Sequence, residues 1–405
     1  MEYQKQLQLR RQKGIEIAKT GRVKMQGNKW SVPSQSINKY YDVILRLDKS
    51  VCNCPDYQER AIKCKHIFAV EITVSKSLNQ DGSVTVTQTK RITYSQNWPA
   101  YNASQIQEQD LFMKLLGELC REVDEPMHTV GRPTMPLGDM VFASGLKVYS
   151  TFSLRRFMSD MRTARDKGYV SKVSSYSTVS NYMRKKELTP ILQMLITLSS
   201  LSLKAVETKF AIDSTGFRTT RFNEYCKEKH DTKREHQWLK AHICTGVKTN
   251  IITGVEVTGE TGADNNQFIP LSKRTFDTGF TIDEMSADKA YSSRDNFDAI
   301  AEMGGTAYIP FRSNATGKAR GSILWKKMYR FFTYNRDEFM AHYHLRSNVE
   351  STNNMIKAKF TDLVRSKDKV AQFNEVLLKV LCHNIVVLIQ EMHELGIEPN
   401  FIKYD

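Results

Sequence analysis

The sequence predicts a multidomain α/β protein. A mixed sheet flanked by helices fills the C-terminal half, an all-α region precedes it, and a small metal-stapled module sits at the N-terminus. Three observations carry this reading. From residue 208 onward, short apolar strands alternate with helical segments. Between 102 and 207 the apolar spacing is helical throughout. Near residue 60, three cysteines and a histidine cluster in a short stretch.

A chain of 405 residues with 40% hydrophobic and 10% aromatic residues can build several cores. Charges interrupt every apolar run, including "VLLKVLCHNIVVLIQ", and the N-terminus "MEYQKQLQLRRQKG" has no apolar signal core. A soluble intracellular protein is expected. Seven irregularly spaced cysteines do not suggest a disulfide framework. The net charge of +15 is unevenly spread: residues 1–50 carry 11 Lys/Arg against 4 Asp/Glu, and 146–186 carry 10 against 2. Two basic blocks predict a polyanionic partner, nucleic acid ahead of an acidic membrane.

The first module, residues 1–71, begins with a basic helix. It continues through the strand-like runs "KWSVPSQS" and "KYYDVILRL" into "VCNCPDYQERAIKCKHIFAVEI". Residues 72–101 are polar, with a turn signal at "NQDGS", and are expected to form a linker or hairpin. Residues 102–207 are the helical region. It opens on "SQIQEQDLFMKLLGELCREV", with Ser104 as its expected N-cap, and breaks at "GRPTMP". Helices over roughly 136–149, 153–167 and 177–186 follow, then "ELTPILQMLITLSSLSL". Short basic helices with tight turns suit a DNA-binding unit, with Arg155, Arg156 and Arg162 as candidate contacts. An ordinary bundle with solvated cations is the alternative.

Residues 208–395 form the α/β domain. "KFAID" is read as a strand ending at Asp213, and "HQWLKAHICTG" with "NIITGVEVTG" as a hairpin. Asp264 is expected to cap the helix "DNNQFIPLSKRTF". "TIDEMSAD" is read as a strand ending at Asp288, "SRDNFDAIAEMG" as a helix, and "TAYIPF" as a strand. A long helical stretch and a last amphipathic helix over 370–395 complete it.

Cys52-x-Cys54 and, after nine residues, Cys64-x-His66 supply three thiols and an imidazole, a donor set that borderline-soft zinc accepts in a closed tetrahedral site. Four ligands leave no open position, so the role is structural or in DNA docking. "CNCPDY…CKH" resembles the SWIM zinc finger, and "WSVPSQS" resembles the entry to that module.

Asp213 and Asp288 each follow an apolar strand and precede small residues. Hard Mg²⁺ prefers such oxygen ligands, and two ions can serve in-line phosphoryl displacement. A turn cap is the alternative for either residue alone. Asp283 and Glu284, at the start of a strand, are decoys by position. The third acid is expected from "YHLRSNVESTNNMIK", as Glu350; for this helix alone a solvated amphipathic face is the alternative. On a helical wheel with Tyr343 at zero, Arg346, Glu350, Asn354 and Lys357 cluster between about 300° and 20°, and Leu345, Val349, Ile356 and Phe360 lie opposite. Trp325 and "MYRFF" suit either base stacking or a core.

Tyr343-(2)-Arg346-(3)-Glu350-(6)-Lys357 resembles the Y-(2)-R-(3)-E-(6)-K signature of DDE transposases of bacterial and archaeal insertion sequences. "AIDSTGF" and "SADKAYSS" resemble the blocks around their first and second catalytic aspartates. The resemblance implies a ribonuclease-H-like catalytic domain and Mg²⁺ or Mn²⁺ held by Asp213, Asp288 and Glu350. It also implies DNA contacts from Tyr343, Arg346 and Lys357. Terminal inverted repeats and target DNA would be the partners, a homodimer on DNA the assembly, and a prokaryotic cytoplasm, at the nucleoid, the location. A non-catalytic DNA-binding derivative and another ribonuclease-H-like nuclease are the alternatives.

Overall fold

The structure is a computed structural model. It describes residues 2–20, 22–26, 29–37, 39–45, 50–60, 62–78, 84–88, 97–127, 131, 134–220, 238–259 and 262–401. The "NQDGS" turn, the first two residues of "HQWLKAHICTG" and Cys226 lie outside this set. The chain divides into two compact units, Met1–Ser95 and Gln96–Asp405.

In the first unit, helix α1 (Glu2–Lys19) precedes an antiparallel sheet of β1 (Lys24–Gln26), β2 (Lys29–Pro33), β3 (Tyr40–Ile44) and β4 (Val51–Cys52), paired in chain order. Strands β2 and β3 alternate as their sequences predict. Trp30, Val32, Tyr41 and Val43 are buried while their neighbours face outward. Helices α2 (Pro55–Arg60) and α3 (Lys65–Thr73) follow, and β5 (Val74–Leu78) and β6 (Val84–Gln88) pair as a hairpin. Helix α1 packs against α3 at Gly14, where a Cβ would lie 2.6 Å from the Phe68 Cβ. A side chain at that position would force the two helices apart.

The second unit opens with α4 (Trp98–Arg121), α5 (Leu137–Tyr149), α6 (Met158–Asp166), α7 (Tyr176–Met183) and α8 (Leu188–Leu201). Helix α4 starts earlier than expected. Asn97 caps it by accepting from the Ala100 amide, and Ser104 is buried within the helix, donating to the Tyr101 carbonyl. Pro99 in the first turn pre-sets the helical φ, so the helix starts there. Helix α6 ends before Gly168, whose φ of 77° provides the left-handed turn that the Gly-Tyr pair predicts.

A five-stranded sheet follows, with β7 (Lys209–Arg218), β8 (Trp238–Gly246), β9 (Ile252–Thr258), β10 (Glu284–Ala287) and β11 (Thr306–Tyr308) in the order β11-β10-β7-β8-β9. β7, β8 and β9 are antiparallel neighbours, while β10 and β11 run parallel to β7. This is the ribonuclease-H-like mixed sheet expected from the sequence. Helices α9 (Asn265–Asp277), α10 (Arg294–Glu302), α11 (Ile323–Tyr334), α12 (Arg336–Tyr343), α13 (Ser347–Phe360) and α14 (Lys369–Glu394) complete the unit. One core packs α4, α5, α8, α13 and α14 against Ala211, Ala241 and Ile243. A second packs α9 to α12 against Phe210, Ile212 and Met285, and it takes in Trp325. Trp325 is 5% exposed and donates to the Thr316 carbonyl, so it is core rather than a base-stacking platform.

Strand β7 is longer than the sequence suggested: it runs on past Asp213 to Arg218, because β8 continues to pair with it on its other edge. Helix α14 is apolar and long enough to cross a membrane, but most of it is buried in the protein's own core. Its polar residues do not make the solvent-facing stripe that an amphipathic reading implies. Asn374, Glu375, Lys379, His383 and Asn384 are all buried and bond to surrounding segments.

Candidate active site and metal centre

The parallel ladder between β7 and β10 ends at Ile212 and Ala287. Asp213 and Asp288 are the next residues on these adjacent strands, so the two carboxylates leave the sheet side by side. Beyond Ala287 the chain turns into a short 3-10 segment, with Asp288 accepting from the Lys289 amide at 2.6 Å. Asp288 is therefore a turn cap that also stands next to Asp213 in the strand register.

The stretch read as one helix from Tyr343 is jointed. Helix α12 ends at Tyr343, His344–Arg346 form a 3-10 turn, and α13 begins at Ser347. Tyr343, Arg346 and Glu350 stay in contact across the joint. Val349, Ile356 and Phe360 are buried in the core, as the wheel predicts. Asn348 donates to the Val247 carbonyl at 3.0 Å and Thr352 to the Asn250 side chain at 3.1 Å, fixing α13 to the β8–β9 turn. Glu350, on the exposed side of this helix, meets Arg346.

Arg346 joins the parts. Its guanidinium lies 3.2 Å from Asp213 and 2.5 Å from Glu350, and its Nε donates to the Tyr343 hydroxyl at 3.2 Å. Burial holds the Asp213 carboxyl above the ordinary carboxylate value, and the charges of Glu350 and Asp288 push the same way; the Ser214 amide and Arg346 oppose them. Burial with like charges nearby favours a proton or a cation at Asp213. All the acidic donors are oxygens, which fits a hard divalent ion such as Mg²⁺.

The other residues singled out in the sequence fall as follows. Lys357 is half-buried, its ammonium 5.9 Å from the Phe217 ring centroid. Asn354 is exposed. Arg155, Arg156 and Arg162 are exposed in the helical region, Arg155 lying 5.2 Å from the Tyr176 ring centroid. Glu284 sits at the opposite end of β10 from Asp288, bound to Lys209 and His342, so it stands outside the site as expected.

Asp264 differs from its expected role. It makes no capping bond, and its carboxylate instead lies 2.6 Å from Lys240 and 3.3 Å from buried His242. Tyr291 is 1% exposed, and burial together with Asp264 and Asp213 raises the pKa of its hydroxyl. This polar group beside β7 has no counterpart in the sequence reading. Its members are far apart in sequence, and only the pairing of Ser214 with His242 brings them to one place.

Asp213, Asp288 and Glu350 all fall within a stretch that matches a known family. Residues 204–385 match the family model described as the transposase DDE domain. This chain carries a transposase DDE domain. Residues 41–75 match the SWIM zinc finger, so the DDE domain is preceded by a SWIM module. No curated protein and no solved structure matches the chain.

In the SWIM module, Cys52, Cys54, Cys64 and His66 are all buried, and one ligand atom from each lies within 4.8 Å of the rest. The His66 Nδ1 is 3.9 Å from both Cys52 and Cys64 Sγ. Tetrahedral zinc with bonds of about 2.0–2.3 Å needs edges of roughly 3.5–3.8 Å, close to this spacing. Hydrogen bonds from Cys52 and Cys64 lower the Cys54 thiol, while hydrogen bonding within the cluster and burial raise Cys52 and Cys64, so without a metal the three thiols share their protons unequally. The four residues fit zinc.

Proposed function

We propose that this protein is a DNA transposase that cleaves the ends of a mobile element and joins them to target DNA. The observation that carries this reading is the register of β7 and β10, which sets Asp213 beside Asp288, together with the Arg346 tie to Glu350. Asp213, Asp288 and Glu350 would hold Mg²⁺ or Mn²⁺, which supplies Lewis acidity and lowers the pKa of an attacking oxygen. In the first reaction water attacks the phosphodiester at the element end; the P–O3′ bond breaks and leaves a free 3′-hydroxyl. In the second that hydroxyl attacks a target phosphodiester and releases a target 3′-hydroxyl. Tyr343, Arg346 and Lys357 hold the phosphates beside the break, with Arg346 forking onto phosphate oxygens. The helical region and the SWIM module bind the ends, and two copies hold two ends.

The test uses the full chain, Mg²⁺ and DNA carrying the terminal repeats that flank its reading frame. Asp213→Ala, Asp288→Ala and Glu350→Gln are each expected to abolish strand breaks while leaving DNA binding intact. Cleavage at the wild-type rate by any of the three would sink the proposal. One observation favours a second reading, a non-catalytic DNA-binding protein: Arg346 already neutralises two of the three acids. That reading predicts DNA affinity indifferent to Mg²⁺ and no breaks from the wild type.

A further inference from the structure

Beyond the acids, the second unit contains a groove of about 990 Å³ between α5, the segment 151–156 that leads to α6, the end of α7 and the turn 361–368. Six cations line it, Lys147, Arg156, Arg184, Arg218, Arg365 and Lys367, against the carboxylates of Asp362 and Asp368. Both acids are already engaged: Asp362 pairs with Arg218, and Asp368 caps α14 through the Ala371 amide.

Lys147 is the decisive residue. It lines the groove yet is only 6% exposed, and among the described residues it makes no hydrogen bond or ion pair. The carboxylate that influences it most, Glu375, is taken up by the Arg365 and Ser366 amides and the Ser366 hydroxyl. Burial lowers the Lys147 pKa, with Arg365 adding to the effect and Glu375 opposing it. A lysine so nearly buried, with no protein partner for its ammonium, is costly to keep charged, and folds retain such a group where a ligand completes it. The groove walls are also pre-set. Thr151 and Thr361 hold left-handed φ values of 55° and 64°, and their carbonyls are clamped by Arg365 and Lys379.

We infer that this groove seats the phosphodiester backbone of the DNA duplex leading away from the cleaved bond, with Lys147 taking one phosphate at its floor. The inference rests on the transposase reading for the presence of DNA at the acids. The distances suit it. From Asp213 to Arg218 along β7 is about 17 Å at roughly 3.3 Å per residue. From Glu350 to Phe360 along α13 is about 15 Å at 1.5 Å per residue. B-DNA rises about 3.4 Å per base pair, so the groove meets the backbone roughly five base pairs from the scissile phosphate. Lys357 lies between the two sites.

The experiment measures binding of a fluorescein-labelled 20-base-pair duplex of arbitrary sequence to the full chain, in EDTA, over a range of salt. Each lost phosphate contact lowers the slope of log K against log salt by about 0.9. Lys147→Met and the double variant Arg156→Ser/Arg184→Ser are expected to bind roughly ten-fold more weakly, with slopes reduced by about 1 and about 2 respectively. Lys147→Met is also expected to melt no lower than wild type, which a structural lysine would not allow. The double variant, altered only at exposed residues, tests the groove even if Lys147→Met fails to fold. Unchanged affinity and slope in the double variant would overturn the inference, as would polyglutamate displacing the duplex as well as DNA of equal charge does. Cleavage that needs the three acids, together with unaltered binding by the double variant, refutes the groove alone. Weakened binding by the double variant, with no cleavage by wild type, refutes the transposase reading alone.

Discussion

Arg346 bridges the carboxylates of Asp213 and Glu350, so under the proposed function it and a divalent ion compete for them. Arg346→Gln is therefore expected to bind Mn²⁺ several-fold more tightly in the DNA-free protein, measured by electron paramagnetic resonance titration. The same variant loses a phosphate clamp, and its end cleavage should fall about 10²-fold or more. Weaker Mn²⁺ binding would mean that the guanidinium organises the acids rather than occupying their place. At this scale the sequence was legible where chemistry and spacing coincide. Tyr343, Arg346 and Glu350 come together as their intervals imply. Asp264 was misread because its partners, Lys240 and His242, reach it only through the sheet, and no local pattern announces a long-range ion pair. Ser104 was misread because a caps-competent residue also tolerates a helix interior when its hydroxyl returns to the preceding turn.

Helix α14 shows what periodicity reads and what it omits. The apolar spacing predicted its extent to within a residue or so, but the polar positions were taken for a wet face. Asn384 instead accepts from the Ile252 amide and donates to the carbonyls of Ile252 and Ile196 and to Ser199, tying α14 to α8 and β9. Asn384→Ala leaves several buried groups unpaired. It is expected to destabilise the second unit by about 2–4 kcal/mol in chemical denaturation. His383 on the same helix lies 3.0 Å from the Asn250 carbonyl, and burial drives its pKa down to about 4, Lys359 adding and the carbonyl opposing. Unfolded histidine titrates near 6.5, so below that pH the unfolded chain binds the extra proton and the folded one does not. The resulting stability is complete above about pH 6.5 and declines as the pH falls toward 4, by about 3 kcal/mol in all. His383→Gln, which retains a donor for Asn250, should flatten that part of the curve relative to wild type. Equal acid sensitivity in the two proteins would remove His383 as its source.

For the whole molecule, the two units differ in what holds them together. The second has large apolar cores on both faces of its sheet. The first has one small cluster, and three of its buried members, Cys52, Cys54 and Cys64, are zinc ligands by position. A core that includes its own metal site lacks apolar area to spare, and metal binding then contributes folding free energy directly. Removing zinc with a selective chelator should unfold the first unit and leave the thermal transition of the second in place. Trp30, buried in that small core at 4% exposure, provides the signal: its fluorescence should shift to the red on chelation and recover when Zn²⁺ is restored. Cys64→Ser should show the shifted emission from the outset, with much less than one zinc per chain by elemental analysis. If the purified protein carries no zinc and Trp30 already emits as a buried indole, the cysteines and histidine hold the unit together without a metal.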